Sequence, residues 1–395
     1  MAKIAVRQRT SCGCVSTVSI RILYLRRRRG SNRFDDRIDG RVRSSAMSTR
    51  RATISDVARE AGVSPSTASV VFSGKTPVSD ATRKRVLDAA ASLGYTGPDP
   101  RAASLRTGRS GIVGVVFEEH LGAAFLDPVK TLMMDGLTEA VAPLGAGLLL
   151  LRDQEPVAGG PSLTSAPIDA AVLVGCSGLL RESLDVVRSR GIPVVVIEGD
   201  AGEGVPRIGL DNREAQRQAA SHLRSLGHER VAIVTLPVRT GWRRGWIGDA
   251  DITIDVTRAR LDGARDVYPD AVAFAAAGSF IDEGLAAGRE IFADPEQLPT
   301  AVIAQSDLLA AGVIRAAEEA GLRVPEDVSV TGFDGIVVDG LAPYDLTTLV
   351  QPAADKGRAA GQAVAAMLDG ADAASVRFTC VFRLGNTTGP AQERV

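Results

Sequence analysis

Histidine, cysteine and long apolar runs are scarce in this 395-residue chain, and each scarcity excludes a class of function. The 3 histidines leave little room for a histidine-rich metal site. The 4 cysteines have no regular spacing, which argues against a disulfide framework and predicts a reducing, cytoplasmic compartment. No stretch approaches 18 apolar residues without a charge, so we expect no membrane span.

Catalytic motifs are absent as well. The chain contains no G-x-x-x-x-G-K-[ST], G-x-S-x-G or H-E-x-x-H, the patterns that cradle phosphates, expose a serine nucleophile and bind a catalytic zinc. His222 and His228 are six residues apart, so they do not share one face of a helix as two metal ligands would. We therefore expect no enzyme, no cofactor and no resident metal.

Apolar residues and a divided charge are what the chain does contain. Apolar residues make up 45% of it, which is enough for packed cores, and its length fits two or three domains. The net charge of −1 combines +9 over residues 1–46, +4 over residues 47–108 and −14 over residues 109–395. A basic front segment and an acidic remainder indicate that the front contacts a polyanion.

Residues 1–46 show no sustained helical or strand period. A signal peptide is excluded because Arg21 interrupts the short apolar run and the arginines at 26–29 follow it. Two interpretations remain for this stretch: an arginine-rich arm that neutralises nucleic-acid phosphates, or a disordered extension from a mis-annotated start. We favour the second, with Met47 as the natural start, because Met47 directly precedes the first convincing element.

A three-helix head is predicted within residues 47–96. Thr53, Ser64 and Ser79 are helix N-caps, and each capped stretch ends at a glycine. The residues expected to face inward on the third helix are Val86, Leu87, Ala90 and Leu93. The first two helices are separated only by Gly62-Val63-Ser64, the spacing of a helix-turn-helix. Any small three-helix bundle is the alternative.

In a helix-turn-helix the second helix enters the major groove of DNA. Its outward face here carries Pro65, Ser66, Ser69 and Val70, small groups able to contact base edges and thymine methyls. Hydroxyl groups near helix starts are candidates for phosphate contacts, and they belong to Thr53, Ser64, Ser69, Ser79 and Thr82. The pattern thus predicts a double-stranded DNA partner.

Residues 97–110 form a candidate hinge. Gly97-Pro98-Asp99-Pro100 is rich in turn formers. The following stretch, 101–108, is compatible with a helix but shorter than the roughly 12–15 residues that an isolated helix needs. We expect it to be ordered only when something packs on it, and a plain interdomain linker is the alternative.

The body, residues 111–395, alternates apolar runs with helical stretches, which predicts parallel sheets covered on both faces. Its length exceeds one comfortable α/β unit, so we expect two similar lobes with a ligand cleft between them. The predicted strands include Ile112–Phe117, Gly147–Leu151, Ala170–Val174, Pro193–Ile197, Val231–Val234, Thr300–Ala304 and Val328–Gly332. The predicted helices include Val129–Ala142, Leu180–Arg190, Glu214–Leu226, Leu308–Ala320 and Asp355–Leu368.

From about residue 52 to 388 the sequence resembles the LacI/GalR (lactose-repressor) family of bacterial transcription regulators. In the head the resemblance rests on segments 53–64, 66–71 and 78–95. In the body it rests on Leu210-Asp211-Asn212, Arg260-Leu261-Asp262-Gly263, Gly332-Phe333-Asp334 and the segments 226–231, 306–312 and 346–352. The resemblance implies a type I periplasmic-binding-protein-like body behind the all-α helix-turn-helix head.

Further implications of the resemblance concern the partners. They are a pseudo-palindromic double-stranded operator, a second copy of the chain in a homodimer, and a small-molecule effector, most often a sugar. Base contacts are implied for Pro65, Ser66 and Val70, although Val70 departs from the arginine of some members. A hinge helix would place Ala102 and Leu105 in the minor groove, where an apolar wedge kinks the duplex.

Effector contacts are implied by position. They fall on Arg260, Asp334, Ser306, Phe125, Phe280 and Gln351. A guanidinium and a carboxylate orient hydroxyl groups well, and aromatic faces suit the C–H faces of sugars. Two segments depart from the family pattern, 118–124 and 238–255. The second is a lid over the cleft or a surface loop, and we favour the loop.

The sequence therefore predicts a repressor whose operator affinity a small molecule controls. Control by a protein corepressor is an alternative. A sugar-binding transport module is a weaker alternative, because neither the head nor the absence of a signal peptide fits it.

Overall fold

The computed structural model describes residues 52–74, 76–97, 108–118, 121–152, 162–175, 179–200, 202–248 and 252–392. The predictions for residues 1–46 and for Ala102 and Leu105 of the hinge lie outside these ranges. The chain divides into two compact units, residues 1–96 and 97–395. No helix within the described ranges has both the length and the apolar composition required to cross a bilayer.

The first unit is the predicted head. Its helices are α1 (Ile54–Glu60), α2 (Pro65–Ser73) and α3 (Asp80–Ser92). The hydroxyls of Thr53, Ser64 and Ser79 cap them, each accepting a hydrogen bond from a backbone N–H three residues on. The shared core is made of small apolar side chains: Val57, Ala58, Ala61, Ala68, Val71, Val86, Ala89 and Ala90.

The inward face of α3 differs from the prediction. Leu87 is 46% exposed and Leu93 is 38% exposed, whereas Val86, Ala89 and Ala90 are buried. The buried set follows the i, i+3, i+4 spacing of one helix face, and Leu87 is rotated about 100° from Val86. Leu93 is the C-cap residue, so it lies where the helix has already ended.

The second unit has two lobes, each built on one sheet. The first lobe carries a sheet with strand order β12-β5-β4-β3-β1-β2, in which neighbouring strands are parallel. Its strands are β1 (Ile112–Phe117), β2 (Gly147–Arg152), β3 (Ala170–Gly175), β4 (Val194–Glu198), β5 (Arg207–Leu210) and β12 (Val376–Phe378). Its helices are α4 (Leu121–Ala124), α5 (Pro128–Val141), α6 (Leu179–Ser189) and α11 (Ala353–Leu368).

The second lobe carries a sheet with strand order β10-β9-β6-β8-β7, parallel except at the short edge strand β7. Its strands are β6 (Val231–Thr235), β7 (Gly245–Trp246), β8 (Val272–Ala275), β9 (Ala301–Ala304) and β10 (Ser329–Thr331). Its helices are α7 (Asn212–Ser225), α8 (Asp255–Arg265), α9 (Ile281–Ile291) and α10 (Asp307–Glu319). A separate antiparallel pair joins β11 (Thr348–Val350) to β13 (Val381–Arg383).

The chain crosses between the lobes more than once. It leaves the first lobe after β5, builds the second lobe, and returns through α11 and β12. Helix α11 packs on α5, and β12 pairs with β5 at the edge of the first sheet. The first lobe is therefore completed by residues that lie late in the sequence.

Glycines bring the paired helices of the body into close backbone contact. A Cβ atom at Gly357 of α11 would collide with the carbonyl oxygen of Met133 in α5, and one at Gly136 would collide with that of Ala354. In the second lobe a Cβ atom at Gly312 of α10 would meet the backbone of α9 in the same way. Only glycine allows these helix backbones to approach so closely.

Candidate functional site

The outward face of α2 presents the side chains predicted to contact bases. Pro65 and Ser66 are exposed and Val70 is partly exposed, while Ala68 and Val71 on the opposite face are buried. Ser64 caps the helix, so its first turn begins with an ordered set of hydroxyls. The helix thus offers a face of small side chains, the kind that fits into a DNA groove.

The hydroxyls predicted to contact phosphate are largely engaged within the head. Thr53 Oγ1 donates to Asp56 Oδ2 at 2.7 Å, so a phosphate contact from Thr53 would require that hydrogen bond to exchange. Ser79 Oγ donates to Thr82 Oγ1 at 2.9 Å. Among the described residues, the Ser69 hydroxyl takes part in no hydrogen bond, and it is partly exposed.

A cavity of about 660 Å³ lies between the two lobes of the body. Residues at the carboxyl ends of strands from both lobes line it, among them Gly175 and Glu198 from the first lobe and Leu236 and Ser306 from the second. Five of the six predicted effector contacts are on its wall: Arg260, Phe280, Ser306, Asp334 and Gln351. The predicted cleft and the predicted side chains therefore coincide.

Phe125 is the exception, since it is not part of the cavity lining. The short helix α4 lies between β1 and Phe125, and the backbone N–H of Phe125 donates to the carbonyl oxygen of Leu121. This turn leaves the ring 50% exposed, with its centroid 6.5 Å from that of Phe117. The expectation of a cleft-facing aromatic at this position is not met in this structure.

The interpretation of 238–255 as a surface loop is wrong for part of that segment. Arg239, Thr240, Gly241 and Trp242 line the cavity. The guanidinium carbon of Arg239 lies 5.0 Å from the centroid of the Trp242 ring. Further along, β7 pairs with β8 at the sheet edge, so this segment contributes both to the cavity wall and to the second sheet.

Six side chains at the cavity form a closed polar ring. The members are Glu198, Asn212, Arg260, Asp334, Gln351 and Lys356, and all but Asn212 line the cavity. Arg260 Nε donates to Asn212 Oδ1 (2.9 Å), and Asn212 Nδ2 donates to Glu198 Oε2 (3.2 Å). Lys356 Nζ donates both to Glu198 Oε1 (2.6 Å) and to Gln351 Oε1 (2.6 Å). Gln351 Nε2 in turn donates to Asp334 Oδ1 (2.7 Å). Arg260 Nη1 lies 3.8 Å from Asp334 Oδ1 and closes the ring.

Arg260 is held from several sides. Its Nη1 donates to the carbonyl oxygen of Gln305 at 2.6 Å, and its guanidinium carbon lies 3.5 Å from the centroid of the Phe333 ring. The residue is 5% exposed. Within the described residues its Nη2 makes no hydrogen bond, so this nitrogen is a fixed donor for a ligand oxygen.

The two carboxylates of the ring stand on unusual backbone. Glu198 has a φ of 71° and Asp334 a φ of 122°, and they are the non-glycine residues with positive φ in the described part of the chain. Such conformations cost free energy, and they persist where the surrounding structure enforces them, often at functional sites. Both strained positions are members of the polar ring.

Burial and charge act in opposite directions on these carboxyl groups. Burial raises the pKa of Asp334 well above its usual value, although Arg260 favours the ionised form. Burial also raises the pKa of Glu198, but Lys356 and Arg260 outweigh that effect, so the pKa of Glu198 is lowered. The two carboxyl groups of the ring therefore differ: the ionised form is favoured at Glu198, and the protonated form is favoured at Asp334 relative to an exposed aspartate.

Ser306 and Phe280 frame the second-lobe side of the cavity. Ser306 Oγ accepts from the backbone N–H of Leu309 at 3.2 Å and so caps α10, and it also accepts from Ser279 Oγ at 2.8 Å. Phe280 is the N-cap residue of α9 and is 37% exposed. An apolar ring beside hydroxyls and charges suits a ligand with both C–H and O–H faces.

Three ring members were not identified from the sequence as site residues: Glu198, Asn212 and Lys356. A signal did exist for Lys356, because it is one of only 5 lysines and lies among alanines and glycines on a helix. It is 3% exposed, and a buried lysine requires a partner. In the described residues no cluster of His, Cys, Asp or Glu is placed to hold a metal ion.

Family models match both units of the chain. The model described as bacterial regulatory proteins, lacI family, matches residues 53–97. The model described as a periplasmic binding protein-like domain matches residues 220–384. The first match covers the helix-turn-helix, and the second covers most of the second lobe and the return to the first.

Similar proteins match about four fifths of this chain and most of their own length. An HTH-type transcriptional regulator of Mycobacterium tuberculosis is 35% identical over 79% of this chain and 90% of its own length. The regulator IpsA of Corynebacterium glutamicum is 32% identical over 80% of this chain and 91% of its own.

Solved structures show the same fold. The Lac repressor dimer bound to operator and an anti-inducer has a TM-score of 0.70 at 20% identity and covers 86% of this chain and 100% of its own. A complex of the transcriptional regulator CelR with cellobiose has a TM-score of 0.58 at 25% identity and covers 85% of this chain and 100% of its own.

Proposed function

Since the chain belongs to the LacI family of bacterial transcriptional regulators, we propose that it is a homodimeric repressor controlled by a small polyhydroxylated ligand. In this proposal a sugar binds in the cavity between the lobes and changes the affinity of the heads for a pseudo-palindromic operator. The observation that carries the proposal is the cavity itself, which both lobes line and which holds Arg260 and Asp334 at its wall.

The chemistry of the cavity favours a neutral ligand rich in hydroxyls. Its lining combines four acidic side chains, Glu118, Asp127, Glu198 and Asp334, with four basic ones, Lys130, Arg239, Arg260 and Lys356. Balanced donors and acceptors suit hydroxyl groups, which do both. The complex of CelR with cellobiose is consistent with a sugar, because that protein belongs to the same fold and is 25% identical.

Control of DNA binding follows from linkage. A ligand that contacts both lobes binds one lobe closure better than another and so shifts the population toward that closure. If the heads of the dimer grip the operator better in one closure, the ligand and the operator change each other's affinity by the same factor. A ligand that lowers the affinity for the operator is an inducer, and one that raises it is a corepressor.

The first experiment measures operator binding by the full chain. Fluorescence anisotropy with DNA from upstream of its own gene, at two salt concentrations, is expected to show saturable binding that exceeds binding to random DNA by roughly 10³-fold or more. The contrary result is weak binding that is equal for random and upstream DNA, both without sugar and with cellobiose, ribose and other mono- and disaccharides. It would contradict a ligand-controlled repressor of its own gene.

The second experiment separates the ligand site from the DNA site. Arg260→Ala and Asp334→Ala are expected to abolish the effect of the sugar while saturable binding to DNA without sugar is retained, since both residues line the cavity of the body and not the head. Arg323→Ala is a matched control, because Arg323 pairs with Asp327 on the surface and lies outside the cavity lining. A retained sugar response in both cavity variants would show that the ligand binds elsewhere.

A further inference from the structure

The polar ring joins the two lobes, and the contacts that cross between them meet on one ion pair. Glu198 ends β4 and Lys356 lies in α11, so both belong to the first lobe. Asn212 begins α7 of the second lobe, and Gln351 follows β11, which packs with that helix. The Asn212–Glu198 and Lys356–Gln351 hydrogen bonds therefore link the lobes, and each ends on a member of the Glu198–Lys356 pair.

Lys356 places a charge on the buried face of α11, at the wall of the cavity. Lys356 is 3% exposed on the face of α11 that carries Ala353, Gly357 and Ala360 against the first lobe. Removing an ammonium and a carboxylate from water carries a large desolvation cost, and replacing such a pair by apolar groups is often neutral or stabilising. Fold stability alone therefore does not account for a lysine at this position.

Backbone strain at Glu198 also indicates that the pair has a role beyond the stability of the fold. Glu198 adopts a φ of 71°, a backbone conformation that residues other than glycine rarely adopt. In this conformation its carboxylate accepts hydrogen bonds from both Lys356 and Asn212. On the other side of the ring, Gln351 Nε2 donates to Asp334 while its Oε1 accepts from Lys356. Through Gln351, the contact from Lys356 therefore continues to the Asp334 carboxyl group.

We propose that the Glu198–Lys356 pair is a positioning pair that holds the two lobes in the arrangement seen in this structure and so sets the state to which a cavity ligand responds. This rests on the proposed function only in taking the cavity as the ligand site. The pair acts through Asn212 and Gln351, which in turn orient Arg260 and Asp334. Without it, the lobes are expected to open more often before any ligand binds.

Lobe opening can be measured without DNA or ligand. Trp242 lines the cavity, whereas the second tryptophan, Trp246, is 48% exposed on the sheet edge. In a Trp246→Phe background the emission comes from Trp242 alone, because the chain has 2 tryptophans. Quenching by acrylamide then reports how often the cavity opens to solvent.

The test compares two double variants of the full chain in this background. Glu198→Gln/Lys356→Met removes the positioning pair with no change in net charge. Arg289→Met/Glu319→Gln removes an exposed ion pair of the second lobe, whose closest atoms are 2.7 Å apart and which does not link the lobes. The first is expected to raise the acrylamide Stern–Volmer constant of Trp242 about twofold, well below the melting temperature, and the second to leave it unchanged.

A positioning role and a merely structural role of the pair give different results in this test. A lower melting temperature with unchanged quenching would show a merely structural role and overturn the proposal. If the first double variant does not fold, Asn212→Ala tests the same link, because it cuts the cross-lobe bond to Glu198, and it too must raise the quenching. Failure of the proposed function would appear in the DNA titration, which this fluorescence measurement does not use.

Discussion

Asp307 is a carboxyl group buried completely next to the candidate site, at the start of α10. Its Oδ1 accepts from Thr348 Oγ1 at 2.5 Å and its Oδ2 from the backbone N–H of Ile336 at 2.8 Å. Burial raises its pKa to about 6, against the opposing effect of these hydrogen bonds. In the unfolded chain an aspartate has a pKa of about 3.9.

The sign of the resulting pH dependence follows from these two values. Between about pH 4 and pH 6 the folded protein binds more protons at Asp307 than the unfolded chain does, so its contribution to stability is lost as the pH rises through about 6. We expect this loss to lower the free energy of unfolding by up to about 2–3 kcal/mol as the pH rises, and Asp307→Asn is expected to remove that decrease. The measurement is the free energy of unfolding by urea between pH 4.5 and 7. Asp270→Asn, at an exposed carboxylate, is the control, and equal slopes in all three proteins would disprove the assignment.

Single residues of the site were predictable to different degrees. Arg260 and Asp334 were found because they stand in motifs that resemble a known family. Lys356 and Glu198 are 158 residues apart, and nothing local in the sequence pairs them. Phe125 was expected in the cleft because it follows β1, but the short helix α4 carries its ring to the surface.

At the scale of elements, glycines decide how closely the helices pack. Gly357→Ala is expected to reduce the free energy of unfolding by about 1–3 kcal/mol, because the added Cβ would collide with the carbonyl oxygen of Met133 and force α11 away from α5. This outweighs the helix propensity that alanine gains over glycine, about 1 kcal/mol. Gly147→Ala is the control, since a Cβ there meets nothing within 4 Å. Equal denaturation midpoints for the two variants would refute close packing at Gly357.

The predicted hinge helix is tested through Leu105, which lies outside the described residues. We expect Leu105→Ala to weaken operator binding and reduce DNA bending, because an apolar wedge that unstacks a base step is lost. Anisotropy gives the affinity, and the mobility of circularly permuted operator fragments gives the bend. Leu384→Ala, at a side chain that is 63% exposed in the body, is the control. An unaltered bend in the Leu105 variant would argue for a plain linker.

Elements with a strong repeat were predictable to within one or two residues. The run Ile112–Phe117 is β1 in full, and the helix predicted over Val129–Ala142 spans Pro128–Val141. The two-residue strand β7 was missed because it has no period of its own, and its pairing with β8 fixes it. Inward positions on α3 were partly wrong because Leu87 is one residue off the buried face.

At the scale of the whole molecule, a two-fold dimer on DNA requires half-sites on one face of the duplex. Once the operator is mapped by footprinting, inserting five base pairs between its half-sites is expected to lower the affinity close to that for random DNA. The insertion rotates one half-site by about half a helical turn away from its head. Anisotropy measures the loss, and a ten-base-pair insertion, which restores the phase, is the control. Equal affinity for both inserted operators would contradict simultaneous gripping by two heads.

The late return of the chain to the first lobe has a consequence for synthesis. When β5 has left the ribosome, its sheet still lacks the edge strand β12, and α5 lacks its partner α11. About 170 more residues must follow, which takes roughly 10–30 s at bacterial elongation rates. During that interval the face of α5 that carries Gly136 and the edge of β5 both lack their partners, so we expect the nascent first lobe to depend on protection from aggregation until α11 and β12 have been made.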